Sequence, residues 1–273
     1  MSTLDPMDVL ETIAGMDARP VRLPDATVLR TQGRPDAVAG NVLLRRVPVT
    51  AATLDHTVAD VRNRFGHPQT AARFVTTCDS ELLAAAADRD DLRCAARALV
   101  TLDEPVATTA GWIVRDDVAV GPPPDDRGWH AVAVLHRHAG RDADEAARRS
   151  RGDDDERLRW WVDGQRQLVA LGRARLVRAE RFGTPVGCAT LAWEPRIDVG
   201  PDHAGLAVLH DLIVHPAHRQ IGVATTMLTQ LVNLHLRDFP RARVAAVIDA
   251  ELVAGAEALG MRAVAALLDV TVL

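Results

Sequence analysis

The segment LAVLHDLIVHPAHRQIGVATTMLTQLVNLHL, Leu206 to Leu236, joins two hydrophobic patterns of different period. LAVLHDLIV is a short apolar run that stops at Pro216, the pattern of a buried strand. VATTMLTQLVNLHL places Ala224, Met227, Leu228, Leu231 and Leu234 on one side of a helix. A chain that passes from strand to helix through a tight turn leaves the first helical N–H groups without partners. Those groups and the helix dipole form an anion site. Gly222 has no Cβ, so an anion can lie against the backbone, and Ala224 keeps that approach open. Arg219 adds a fixed positive charge at the rim. Thr225 and Thr226 offer hydroxyl donors. The segment lacks G-x-x-x-x-G-K-[ST] and G-x-G-x-x-G, which excludes the two commonest nucleotide loops.

Secondary-structure signals elsewhere arrange the 273 residues around this junction. Val9, Leu10, Ile13 and Met16 have helical spacing. ATVLRTQG and NVLLRRVPV read as strands, and Thr50 opens a helix carrying Leu54, Val58, Val61 and Phe65. ARFVTTC reads as a strand, with Asp79 and Ser80 as caps of the helix that follows. CAARALVTL is another strand. GPPPDDRG, residues 121–128, has the composition of a loop. WHAVAVLHRH reads as a strand, and residues 142–172 as a charged helix with Leu158, Trp161, Val162, Leu168 and Val169 on one stripe. LVRAERFGTPVGCATLAW reads as a hairpin turning near FGTP. ARVAAVI, ELVAGAEALG and RAVAALLDVTVL complete a strand–helix–strand ending. The expected organisation is an α/β part over 1–105, a linker or long loop over 106–128, and a second α/β part over 129–273.

Composition narrows the function classes. The formal charge of −5 argues against a nucleic-acid surface. Three cysteines without paired spacing (Cys78, Cys94 and Cys188) fit neither a disulfide framework nor a zinc site, and a reducing cytoplasmic setting is expected. The N-terminal stretch has no basic n-region or apolar h-region, and no apolar run approaches membrane-spanning length. All basic residues are Arg, and Tyr is absent, which removes one common general acid.

LIVHPAHRQIGVATTML resembles the acetyl-CoA-binding motif of the GCN5-related N-acetyltransferases (GNAT), written R/Q-x-x-G-x-G/A after V-x-P. FGTPVGCATL resembles that superfamily's central hairpin, and EALGMRAVAAL its closing segment. The resemblance covers residues 129–273. It implies the GNAT fold, a mixed and mostly antiparallel central sheet with flanking helices. RFVTTC, SELLAAAADRDDL and DATVLRTQG resemble a degenerate GNAT-like α/β half, as in two-part members from high-GC bacteria. That half would support the acceptor pocket. By the resemblance, the backbone of Leu212, Ile213 and Val214 would bond the pantetheine arm and thioester carbonyl. Gln220, Ile221, Gly222, Val223, Ala224 and Thr225 would hold the pyrophosphate, with Arg219 at the rim. Asp249 stands where the superfamily often has a cofactor-contacting Asn. Ala256 stands where many members carry a Tyr that protonates the departing thiolate.

The implied reaction moves an acetyl group from acetyl-CoA, as co-substrate, to an amine by direct attack in a ternary complex. It needs a base for the substrate ammonium. His210, on the strand feeding the loop, has a suitable ordinary pKa and stands two residues beyond Val208, where some relatives carry a glutamate base. It reads equally as a satisfied core or edge histidine. Asp211 would face the other way unless a bulge re-aims it. Glu194, at a strand end, is a third candidate. His130, His136 and His138 would share a face of the expected strand, but no partner in register completes a metal site, and none is assigned. Cys188 reads as a small buried filler, Trp160 and Trp161 as core and rim, and His215 and His218 as solvent-facing. The acceptor would be a small-molecule or peptide amine, and the chain a monomer or homodimer. Neither nucleic acid nor membrane is an expected partner. The alternatives are an acyl-CoA-binding regulatory protein without catalysis and a GNAT-fold enzyme using another acyl-CoA.

Overall fold

A computed structural model describes residues 5–14, 18–31, 41–65, 72–102, 114–143, 151–193 and 205–273. In chain order the elements begin with α1 (Pro6–Ala14), β1 (Ala18–Arg22), β2 (Ala26–Thr31), β3 (Asn41–Arg45), α2 (Leu54–Phe65), β4 (Ala72–Thr77), α3 (Ser80–Ala87) and β5 (Leu92–Leu102). Then come β6 (Val118–Gly121), α4 (Asp126–Ala143), α5 (Arg151–Ala170), β7 (Ala174–Arg181), β8 (Thr184–Trp193) and β9 (Leu206–Val214). The chain ends with α6 (Val223–Asp238), β10 (Arg243–Asp249), α7 (Val253–Ala258) and β11 (Arg262–Val272).

Two compact units form. One holds residues 1–101 with 245–273, and the other holds 102–244. This grouping differs from the expected 1–105, 106–128 and 129–273. Residues 118–121, inside the expected linker, form β6 and pair antiparallel with β7. The last strand, β11, lies antiparallel between β4 and β5. Strands close in sequence usually pair with each other, and β11 is an exception. Leu267, Leu268, Val270 and Val272 are buried in β11.

In the first unit, β1, β2, β3, β4, β11 and β5 follow one another across the sheet. All are antiparallel neighbours except β3 and β4, which are parallel. Asp79 caps α3 by accepting from the Leu82 N–H at 2.7 Å, as its position predicts. Leu43, Val58, Val61, Phe74, Leu82 and Val270 share the core. Arg73 donates to both carboxylate oxygens of Asp269, at 3.0 and 2.6 Å, and so ties β4 to β11. The strand β1 carries no alternation and is not legible in the sequence.

In the second unit, β6, β7, β8 and β9 form an antiparallel meander. Phe182 and Gly183, both with positive φ (51° and 74°), make the two-residue turn between β7 and β8. One face packs against α6 through Ala179, Val186, Val223 and Met227. The opposite face carries Val132 and Leu135 of α4 with Leu176, Cys188 and Ile213. WHAVAVLHRH is thus helical, not a strand. Its alternating Ala and Val satisfy both periods, and the deciding signal lies upstream. Asp125 accepts from the Gly128 N–H at 2.8 Å, which starts α4 as a capping side chain does.

Candidate functional site

The strand β9 ends at Val214, and Pro216–His218 make one tight turn before the helix. The chain then passes through Gln220 at φ 61° and Gly222 at φ 89°. The left-handed geometry at Gly222 favours a residue without Cβ. α6 starts at Val223 with no side chain capping it. Its first N–H groups therefore point out of the helix mouth beside the positive end of a 16-residue dipole. Gly222, Val223, Ala224 and Thr225, the residues expected to hold an anion, span this mouth. The donors present suit a phosphate or pyrophosphate.

Three details of the loop depart from the sequence reading. Thr226 is buried, and its hydroxyl donates to the Gly222 carbonyl at 2.9 Å. The Thr226 hydroxyl oxygen accepts in turn from the Arg115 N–H at 3.0 Å, so the side chain braces the loop rather than facing a ligand. The Nε of Arg219 donates to the Val214 carbonyl at 3.2 Å, folding the exposed side chain back over the strand end. Arg115, which the sequence does not single out, donates from Nη1 to the Ile221 carbonyl at 3.3 Å. It also pairs with Asp117, which Arg181 reaches from the hairpin at 2.8 Å. Hydrogen bonds from Arg115 and Arg181 hold the Asp117 carboxyl well below the usual carboxylate range. No local pattern marks this brace, because its members meet only once β6 and β7 pair.

Gly187 on β8 has a packing reason. A Cβ there would lie 2.7 Å from Met227 Cε and 2.8 Å from the Ile213 carbonyl oxygen. His215 and His218 flank the turn half-buried, their rings 5.9 Å apart, rather than fully in solvent.

Four residues upstream of Val214 the strand is broken in register. Cys188 pairs with Ile213 and Thr190 with His210, so Asp211 and Leu212 together oppose Ala189. Asp211 takes φ 53° there. Consecutive strand residues ordinarily point to opposite faces. The bulge instead brings His210 Nδ1 to 2.6 Å from Asp211 Oδ2. The same oxygen accepts from the Trp161 indole N–H at 3.2 Å. The other, Oδ1, lies 3.9 Å from His136 Nε2. His136 and Trp161 stack with ring centroids 4.3 Å apart. Burial pushes the Asp211 carboxyl up, but the facing His210 and His136 and the Trp161 hydrogen bond outweigh it and hold the carboxyl below its ordinary value. His210 has a side chain only 13% exposed. Its Nε2 is buried without a hydrogen-bond partner among the described residues.

The remaining candidates fall elsewhere. Cys188 is 1% exposed, and burial pushes its thiol far up, which suits a filler and not a nucleophile. Asp249, in the first unit, forms an ion pair with Arg97 of the same unit. Ala256 is buried on α7. Glu194 and the side chains of His138 and Trp160 lie outside the described residues. The helical geometry of α4 separates His130 from His136. His130 lines a groove of about 480 Å³ between α4 and α5, with Trp129, Leu158 and Val162. No cluster of three metal-ligating side chains occurs among the described residues.

The acetyltransferase (GNAT) family matches residues 142–256, which include the bulge and the helix mouth. Among solved structures, a conserved protein of unknown function from Staphylococcus epidermidis ATCC 12228 is similar at TM-score 0.62 and 10% identity, over 94% of each chain. A GCN5-related N-acetyltransferase from Kribbella flavida is similar at TM-score 0.59 and 12% identity, over 99% of this chain and 96% of its own. Another from Sphaerobacter thermophilus is similar at TM-score 0.52 and 14% identity, over 90% and 80%. At these identities the likeness is one of fold. No curated protein matches the sequence.

Proposed function

We propose that the chain, whose residues 142–256 match the acetyltransferase (GNAT) family, moves an acetyl group from acetyl-CoA to an amine by direct attack in a ternary complex. The observation that carries this reading is the His210–Asp211 pair, set by a bulge four residues before the strand feeds an uncapped, glycine-led helix mouth. Bound acetyl-CoA would supply the activated thioester. Backbone N–H groups from Gly222 to Thr225 would receive its pyrophosphate. The backbone of Leu212, Ile213 and Val214 would receive the pantetheine arm. Arg219 would supply charge at the loop surface.

Asp211 accepts the Nδ1–H of His210 and so fixes the tautomer in which Nε2 is the basic nitrogen. Nε2 takes a proton from the incoming ammonium, which frees the amine lone pair for attack on the thioester carbonyl; the C–N bond forms, the C–S bond breaks, and the nitrogen's second proton passes through solvent to the departing CoA thiolate, the chain having no Tyr to supply it. The Asp211 carboxylate stabilises the imidazolium that results. This division of labour needs no change in Asp211 protonation, in keeping with its lowered pKa.

The test is release of free CoA thiol when the purified chain is incubated with acetyl-CoA and a panel of amines. Amine-dependent release is expected. Tight acetyl-CoA binding with no turnover by any amine class would favour the regulatory reading instead. Faster turnover with a longer acyl-CoA would move the donor assignment and leave the site unchanged.

A further inference from the structure

We propose that His136 is a positioning residue that completes a coupled His136–Asp211–His210 relay, with Trp161 fixing the carboxylate between the two imidazoles. The inference rests on the reading of His210 as the base. The carboxylate is divided between its neighbours. Oδ2 takes the His210 and Trp161 hydrogen bonds at 2.6 and 3.2 Å, and Oδ1 faces His136 Nε2 at 3.9 Å. His136 comes from α4 and Trp161 from α5, and their rings stack at 4.3 Å. Two helices thus each place one side chain on a carboxylate that the β9 bulge has turned out of its normal direction.

The groups around Asp211 are few. Its own strand supplies His210, α4 supplies His136, α5 supplies the indole of Trp161, and β8 supplies the buried Cys188 thiol and Thr190. α6 packs on the other face of the sheet, through Val223 and Met227. The two histidines are therefore the proton-binding partners that flank the carboxylate among the described residues. Each cation stabilises Asp211 as an anion, but the second proton enters against the charge of the first. When the substrate ammonium gives its proton to His210 Nε2, the Nδ1–H stays donated to Asp211. His136 then sets how much carboxylate charge remains to stabilise the imidazolium.

The experiment is NMR titration of the histidine ring nitrogens in the full-length chain, without ligand. The parent is compared with His136→Gln, His136→Phe and Asp211→Asn. In the parent the neutral form of His210 is expected to carry its proton on Nδ1, and its titration to be broadened. Removing His136 is expected to raise the His210 midpoint by about half a unit or more and to sharpen the curve to a single site, as loss of a like charge on a shared partner requires. Asp211→Asn is expected to lower the midpoint and lose the tautomer preference. His136→Phe keeps the stack on Trp161, so it serves if the Gln variant does not fold. A smaller shift, none, or a fall in the His210 midpoint on loss of His136 overturns the relay. This readout does not depend on acyl transfer. Failure of turnover with the expected titration shifts refutes the enzyme reading and leaves only the electrostatic coupling of His136 to His210 standing. A normal acyl transfer with an unchanged titration does the reverse.

Discussion

His210 Nδ1 and Asp211 Oδ2 lie 2.6 Å apart although the two residues are neighbours in one strand. A regular strand would separate them onto opposite faces, so the contact exists only because the chain bulges there. Asp211 carries a left-handed φ of 53°, a conformation that is sterically costly for a residue with Cβ. The strain is held by three partners on one carboxylate, and it aims His210 Nε2 away from Asp211.

Substitution at this pair is expected to separate chemistry from binding. His210→Gln should lower kcat about 10²- to 10⁴-fold, the usual contribution of a positioned base. Asp211→Asn should lower it by a smaller factor, because the base remains but its tautomer is no longer fixed. Affinity for acetyl-CoA, measured by calorimetry, should stay within about twofold in both. A parallel loss of affinity and rate would instead mean that the pair holds the donor.

The close approach at Gly187 should make Gly187→Ala destabilising. The added methyl would meet Met227 and, more seriously, the Ile213 carbonyl, which belongs to the strand that leads to the loop. Overpacking of this kind costs about 1–3 kcal/mol. Urea unfolding should show the loss as a lower midpoint with an unchanged slope.

Stability should fall on acidification in two separate windows. His235 is fully buried between Trp193 and Phe239, with neither ring nitrogen partnered among the described residues. Burial, with Arg175 nearby, pushes its pKa down from 6.5 to about 4. The unfolded chain therefore binds the His235 proton first, and stability drops as pH falls from about 6.5 to about 4, by about 3 kcal/mol in all. Asp211, with a lowered pKa, contributes stability above the ordinary carboxylate range that is lost only as pH falls below it. Thermal unfolding across pH should show both steps, and His235→Phe should remove the first while retaining the second.

Local chemistry explains what the sequence disclosed. The α6 mouth was legible because Pro216, Gly222 and the apolar helix that follows are contiguous, and the β7–β8 hairpin because Gly183 sits between two strand patterns. The candidate pair was half legible. His210 could be named from its strand, but whether Asp211 joins it depends on a bulge with no local signature. His136 and Trp161 were out of reach for a different reason. Alternating Ala and Val made α4 look like a strand, which put His136 in register with His130 and His138 rather than beside β9. The place of β11 in the first unit was hidden because its pairing partners, β4 and β5, lie more than 160 residues away in sequence.

In the proposed function, the mouth of α6 binds the phosphates of an acyl-CoA. Calorimetric titration of acetyl-CoA into the parent chain and into Gly222→Glu tests it most directly. The variant puts a carboxylate side chain at the left-handed position immediately before the helix mouth. The expected result is saturable binding by the parent and an affinity at least about tenfold weaker in the variant, a loss of about 1.4 kcal/mol or more. Equal affinity in the two proteins, both folded, would contradict the assignment of the site.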